Sequence, residues 1–318
     1  MAFLGISMGL TFLTNGGVLA IFFAYRELRS PFSFYVMNLL CVNLYLAIAN
    51  PMRIIDNMNT LWFPKTWACN FFIVNDWIGS AILGHAHLLI TLNRVWAIMF
   101  PISYKHLHTR NMAKYICIGF AVYCHVMILP FILIDFIYYR GPTLNVQYCD
   151  VNVEAQGQYS NFLLYVFYQM PMFAVICAYP LLYWKSATAR KVTVANGNTS
   201  KVPSGASAMD KTMDTRLSNT GLKPAKPVKQ KDGTRKPFYV LTAMTLSVLI
   251  CWGPTKVYNI IQNVSPWDEC NQGVAEFRKI GEVLYAMQMF IDPVLFAMVL
   301  SDLRAVIGKL LQQLFCKS

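Results

Sequence analysis

The feature that most constrains this chain is a succession of long apolar runs, each of about 20 residues or more, the length at which a helix rising 1.5 Å per residue crosses a hydrocarbon core of about 30 Å. Seven such runs occur, at 3–25, 34–58, 69–100, 115–136, 161–184, 238–261 and 280–300. They are continuous rather than alternating at every second residue, which excludes a strand barrel. Composition agrees: the 318 residues are 56% hydrophobic and 13% charged, where soluble domains carry roughly 25% charge. The expected fold class is an all-α membrane protein, a seven-transmembrane helix bundle.

Basic residues orient the bundle, because Lys and Arg accumulate in cytoplasmic loops. With the first run exiting inward, that side gathers Arg26, Arg29, Arg94, Lys105, Arg110, Lys114, twelve basic residues within 185–236, and Arg304, Lys309 and Lys317, which is 21 of 27. The N-terminus is then outside and the C-terminus cytoplasmic. The net charge of +12 follows from topology, so nucleic acid is not an expected partner. Residues 185–236 are the one long polar insertion, expected to be a disordered basic third cytoplasmic loop. Asn263, in Asn263-Val264-Ser265, is a candidate glycosylation site on the outer side, whereas the sequon at Asn198 faces inward.

Residues 1–300 read as the membrane domain and 301–318 as a juxtamembrane segment. There Leu303, Val306, Ile307, Leu310, Leu311, Leu314 and Phe315 form one narrow helical stripe, suited to lying on membrane lipid. Cys316 at its end is a candidate for palmitoylation, with a plain thiol as the alternative. The nine cysteines show neither CxxC pairs nor zinc-type spacing, and no phosphate loop or HExxH occurs. An enzyme is not expected, nor any cofactor.

Topology leaves receptor, transporter and channel open. The motifs narrow this: Asn15 in TNGGVL, NLLCVNL at 38–44, LNRVWAIMFPISY ending the third run, Pro171 and Tyr179 on the fifth, CWGP on the sixth and DPVLF on the seventh. Together, in this order, they resemble the rhodopsin-like (class A) G-protein-coupled receptors over essentially the whole chain. The resemblance implies a receptor of the plasma membrane that binds an extracellular ligand within the bundle and activates a heterotrimeric G protein, with arrestin and a receptor kinase as further partners. It leaves as alternatives a secondary transporter, a channel, or an opsin-like chain without retinal, since the Schiff-base position is Ala286. Asn15 lies near the middle of the first span in that family. Met1 therefore falls at or inside the membrane, and a truncated start stays open.

Carried over residue by residue, the family pattern pairs Cys69 with Cys149 in a disulfide. It makes Arg94 the contact for the G protein, Trp252 the pocket floor two residues before the kink at Pro254, and Tyr179 a prop for the open inner face. Departures from the pattern matter as much. Asn93 replaces the acid that usually restrains the arginine, so a weakened resting lock and raised basal activity are expected. Phe296 lacks the hydroxyl that relatives carry opposite Tyr179. Asn43 and Asp292, before Pro293, exchange the usual Asp and Asn, so a contact between them is expected. A sodium ion at Asn43 and Asp292, common in relatives, is disfavoured because Leu83 replaces the third-span hydroxyl.

For the ligand, Asp76 lies 18 residues before Arg94, about 27 Å further out along a helix. It occupies the ammonium-binding position of amine receptors. Lys256, one turn outside Trp252, and Glu282 are expected to converge on the same space, with Trp77, Tyr258, Tyr285 and Gln288 around them. A peptide or a zwitterionic or cationic small molecule fits such a pocket. The alternative is that Asp76 and Lys256 satisfy each other. Leu163, Leu164 and Phe167 in place of serines disfavour a catechol. His85 and His87, two residues apart, point to different sides of a helix, so spacing alone gives no metal site, and they read as packing or hydrogen-bonded histidines.

Overall fold

The computed structural model describes residues 2–57, 66–139, 149, 151–181, 184–185, 235–264 and 272–315. Within them each apolar run satisfies its own backbone hydrogen bonds as a helix, as a chain in hydrocarbon must. In order these are α1 (Ala2–Ala24), α2 (Pro31–Asn57), α3 (Thr66–Met99), a short α4 (Pro101–Leu107), α5 (Arg110–Ile134), α6 (Gly157–Leu181), α7 (Arg235–Val264), α8 (Gln272–Val299) and α9 (Ser301–Phe315). The seven expected spans are α1, α2, α3, α5, α6, α7 and α8, with ends shifted by a turn or two. Six of them are long and apolar enough to cross a membrane by length and composition. The seventh, α7, carries Lys256 in its outer half.

The axis of the bundle is α3, buried at every position from Ala81 to Thr91. Neighbouring pairs α1–α2, α2–α3 and α7–α8 pack closely, and α1 also packs on α8. By contrast α5 turns Tyr115, Ile118, Val122, Val126 and Leu133 outward, an apolar face that suits lipid. Prolines interrupt α2, α5, α7 and α8 at Pro51, Pro130, Pro254 and Pro293, where the missing donor permits a kink.

Small residues and side-chain caps set the remaining geometry. A Cβ at Gly281 would lie 2.8 Å from Thr255 Oγ1 and 3.2 Å from its backbone nitrogen, so glycine there lets α8 close on α7 at the outer end. At the inner end of α1, Arg29 donates to the carbonyls of Phe22 and Phe23, satisfying oxygens that a helix end leaves open. Thr109 caps α5 by accepting from the Met112 N–H at 3.2 Å. Backbone hydrogen bonds run on from α8 into α9 through Leu300 and Arg304. There Leu303 is buried and Val306 and Ile307 pack on the core, so part of the expected lipid stripe faces the bundle instead. The side chains of Asn263 and Cys316, and the loop segment 186–234, lie outside the described residues.

Candidate functional site

A cavity of about 810 Å³ opens at the outer end of the bundle between α3, α6, α7 and α8. From α3 come Asp76, Trp77 and Ser80, from α7 Lys256 and Tyr258, and from α8 Arg278, Glu282 and Tyr285. Leu164 and Tyr168 enter from α6, within a widened turn at Leu164–Gln169, a type of distortion often found at functional sites. The wall facing out is the segment Val151–Glu154, anchored by a disulfide between Cys69 and Cys149. Asp135 accepts from the Asn152 N–H at 2.9 Å and Gln156 donates to the Phe131 carbonyl at 3.1 Å, which fixes that segment to the end of α5.

Inside, both signs of charge are present. Lys256 is buried, with its ammonium 5.4 Å from the centre of the Tyr168 ring. Asp76 lies within electrostatic range of Lys256 and of the Tyr168 phenol. Arg278 and Glu282 form a loose pair at 3.9 Å, one turn apart on α8. Trp77 packs on Phe131 and Tyr168, with centroids 5.1 and 5.7 Å away, and the Tyr168 hydroxyl donates to the Trp77 carbonyl at 2.7 Å. The expected Asp76, Trp77, Lys256, Tyr258, Glu282 and Tyr285 therefore share one cavity. Gln288 does not: it lies deeper, fully buried, where Ser247 donates to it at 2.8 Å and it donates to Asp292. Leu163 and Phe167 are buried in packing, leaving Leu164 as the apolar contribution of that group to the cavity wall.

Beneath the cavity, Tyr285 donates to Ser80 at 3.0 Å and lies 6.0 Å from the buried Trp252 ring. Trp252 in turn meets the edge of His87 at 5.0 Å. His87 Nε2 is 3.1 Å from Asp292 Oδ2, with both side chains almost fully buried. The atoms are at ion-pair distance but off hydrogen-bond alignment. Asn43 instead donates to Asn15 at 3.1 Å and to the Met289 carbonyl at 3.2 Å, and Asn15 donates to that carbonyl at 2.8 Å. The expected Asn43–Asp292 contact is not among the hydrogen bonds of the described residues, because Asn15 and the Met289 carbonyl take the Asn43 amide nitrogen, while its Oδ1 has no hydrogen-bond partner there. For a sodium ion the residues offer Asn43 Oδ1 and Asp292 Oδ2, both buried without a hydrogen-bond partner among the described residues, but two features weigh against it. The Asp292 oxygen that a cation would bind faces an imidazole nitrogen, and fully buried Leu83 offers no oxygen.

His87 is the residue that sequence reasoning missed. A signal was present: Asp76, Ser80, Leu83, His87 and Arg94 recur at steps of three, four and seven, which is one face of a helix.

At the inner end, Arg94 stacks on Phe32 of α2, its guanidinium carbon 3.4 Å from the ring centre. Its Nε has no hydrogen-bond partner among the described residues. Asn93 is held by the segment after α3: it donates to His108 Nε2 at 2.9 Å and accepts from the Tyr104 hydroxyl at 3.2 Å. His108 lies between the Tyr35 and Tyr104 rings at 5.7 and 4.5 Å. Phe296 is fully buried, and Tyr179 is half-buried near the inner end of α6.

Comparison with known proteins agrees with this architecture. The profile of the family described as 7 transmembrane receptor (rhodopsin family) matches residues 14–296. Among curated proteins, the chain is similar to the "Probable G-protein coupled receptor No18" of Amphibalanus amphitrite, 30% identical over 102 residues. That alignment covers 31% of this chain and 26% of the relative. With seven long helices in the expected order and a family match over most of its length, the chain belongs to the rhodopsin family of seven-transmembrane receptors.

Proposed function

We propose that this protein is a plasma-membrane receptor, N-terminus outside and C-terminus cytoplasmic, that binds an extracellular ligand in the outer cavity and activates a heterotrimeric G protein at the Arg94 end. The observation that carries the reading is the buried Lys256 sharing an open-mouthed cavity with Asp76 and four aromatic side chains. A charged lysine is expensive to keep inside a membrane bundle and marks a site by default. Asp76 suits an ammonium and Lys256 a carboxylate, so a zwitterionic small molecule or a peptide terminus uses both, and a simple cation uses Asp76 alone.

Binding can shift the protein only by favouring one conformer over another. A ligand against Tyr285 and Trp252 does so by letting α7 pivot at Pro254, moving its inner end outward and opening Arg94 to the G protein. Arrestin and a receptor kinase are the partners that would end the signal. The test is a screen of free amino acids, monoamines and short peptides against the purified receptor in lipid nanodiscs, read by thermal stabilisation. Stabilising compounds whose effect falls about 10- to 100-fold in potency in Asp76→Asn or Lys256→Met, the cost of one charged hydrogen bond, place the ligand in this cavity. Stabilisation unchanged in both variants places it elsewhere.

A further inference from the structure

Asp292 is fully buried, and the side chain that meets its Oδ2 is His87, itself 1% exposed, with 3.1 Å between Nε2 and Oδ2. Its other oxygen accepts from Gln288, which is tied to Ser247 of α7. Among the described residues α3 and α8 have little close backbone packing, so side chains such as these join them. We propose that the His87–Asp292 bridge is the resting-state clamp of this receptor, a side chain of α3 taking the place that a free sodium ion holds in relatives. The proposal rests on the receptor reading above and adds His87 to its activation residues.

Two observations point to a clamp rather than to packing alone. First, the imidazole lies between the carboxylate and the Trp252 indole, 5.0 Å away and nearly perpendicular. Trp252 adjoins Tyr285, whose hydroxyl bonds Ser80 on the cavity wall. A ligand that displaces Tyr285 or Trp252 therefore acts on the bridge. Second, Ser247 lies seven residues inward of Pro254. An outward swing of α7 about that proline carries Ser247 away from Gln288 and strips a partner from the same carboxylate. With the imidazole nitrogen 3.1 Å from the carboxylate, the bridge needs no dissolved cation.

The test follows the inner end of α7 directly. Spin labels at the inner ends of α3 and α7, in full-length receptor lacking Cys41, Cys177, Cys270 and Cys316, report their separation in nanodiscs without ligand or G protein. His87→Leu, Asp292→Asn, the double variant and His87→Lys are compared with wild type. The clamp predicts that each of the first two raises the open population about fivefold or more, that the double variant rises no further than the larger single, and that His87→Lys stays within about twofold of wild type. It also predicts no change when sodium is replaced by N-methylglucamine. Should His87→Leu fail to reach the membrane, Asp292→Asn reads the same arm, since it restores the amide usual in relatives. Equal separations throughout, single effects that multiply in the double variant, or closure of the wild type by sodium would overturn the clamp. An opened His87→Leu that activates no G protein would instead sustain the clamp and sink the coupling reading.

Discussion

Arg94 illustrates how a single residue's partner is decided by what the sequence lacks. With Asn93 in front of it there is no adjacent carboxylate, and the guanidinium settles on the Phe32 ring instead. A desolvated cation over an aromatic face is worth about 2 kcal/mol. Phe32→Leu is therefore expected to raise ligand-free nucleotide exchange several-fold at matched surface levels, read with purified G protein; an unchanged rate would show that the ring does not restrain Arg94. Asn93 is occupied by His108 and Tyr104, so Asn93→Asp gains a charge only by disturbing that contact. Asp76, Lys256 and Arg94 were legible in the sequence because charges inside apolar runs stand out. His87 was not, because two histidines two residues apart on a helix read as packing or hydrogen-bonded side chains with no partner specified. Its carboxylate partner is more than two hundred residues away along the chain, and only the folded bundle brings the two together.

At the scale of elements, spans could be read from hydropathy, whereas docking of the short segments could not. The inner helix α4 is seven residues long, too short to be stable by itself, and it is held through Tyr104 and His108. Burial keeps the His108 imidazole below its ordinary pKa, since a proton there would be poorly solvated and would remove the lone pair that accepts from Asn93 and Tyr35. The folded state thus binds fewer protons than the unfolded one below about pH 6.5. Docking of α4 is at full strength above that value and weakens as pH falls through the lowered pKa. Hydrogen-exchange protection of residues 101–108, corrected for the intrinsic pH dependence of amide exchange, is expected to fall between pH 7.5 and 5.5 in wild type and to lose that dependence in His108→Gln; an equal fall in both would contradict the assignment.

The same scale governs the contact of α7 with α8. Nothing in the hydropathy of Gly281 distinguished it from other glycines of the spans, but its Cβ position is already filled by Thr255. Gly281→Ala is expected to destabilise by about 1–3 kcal/mol through overpacking, seen as a lower melting temperature in nanodiscs. An unchanged melting temperature would mean that the outer ends of α7 and α8 separate at no cost.

For the whole molecule, the bundle order and the outer disulfide were legible because membrane insertion permits few solutions and the motifs recur in fixed order. Which polar side chains pair across the middle was not legible, since Asn15, Asn43, His87, Gln288 and Asp292 come from four helices and their pairing depends on helix rotation. The disulfide closes a loop of 80 residues. Its loss in Cys69→Ser typically costs a small domain about 2–5 kcal/mol, and here the expected outcome is a lower melting temperature together with weaker binding by compounds that occupy the cavity. Weakened binding without loss of stability would instead assign the disulfide to shaping the Val151–Glu154 wall alone.

The central claim is that a ligand in the outer cavity acts through the bundle on a G protein at Arg94. It is tested most directly by nucleotide exchange across a panel of purified G proteins, with wild type and Arg94→Ala in nanodiscs, with and without the cavity-binding compounds, beside flux of the same compounds into receptor-containing vesicles. Exchange by at least one G protein that the compounds alter and that Arg94→Ala abolishes, with no flux, is the predicted result. Compound flux across the vesicle membrane, or exchange indifferent to Arg94 for every G protein, would contradict it.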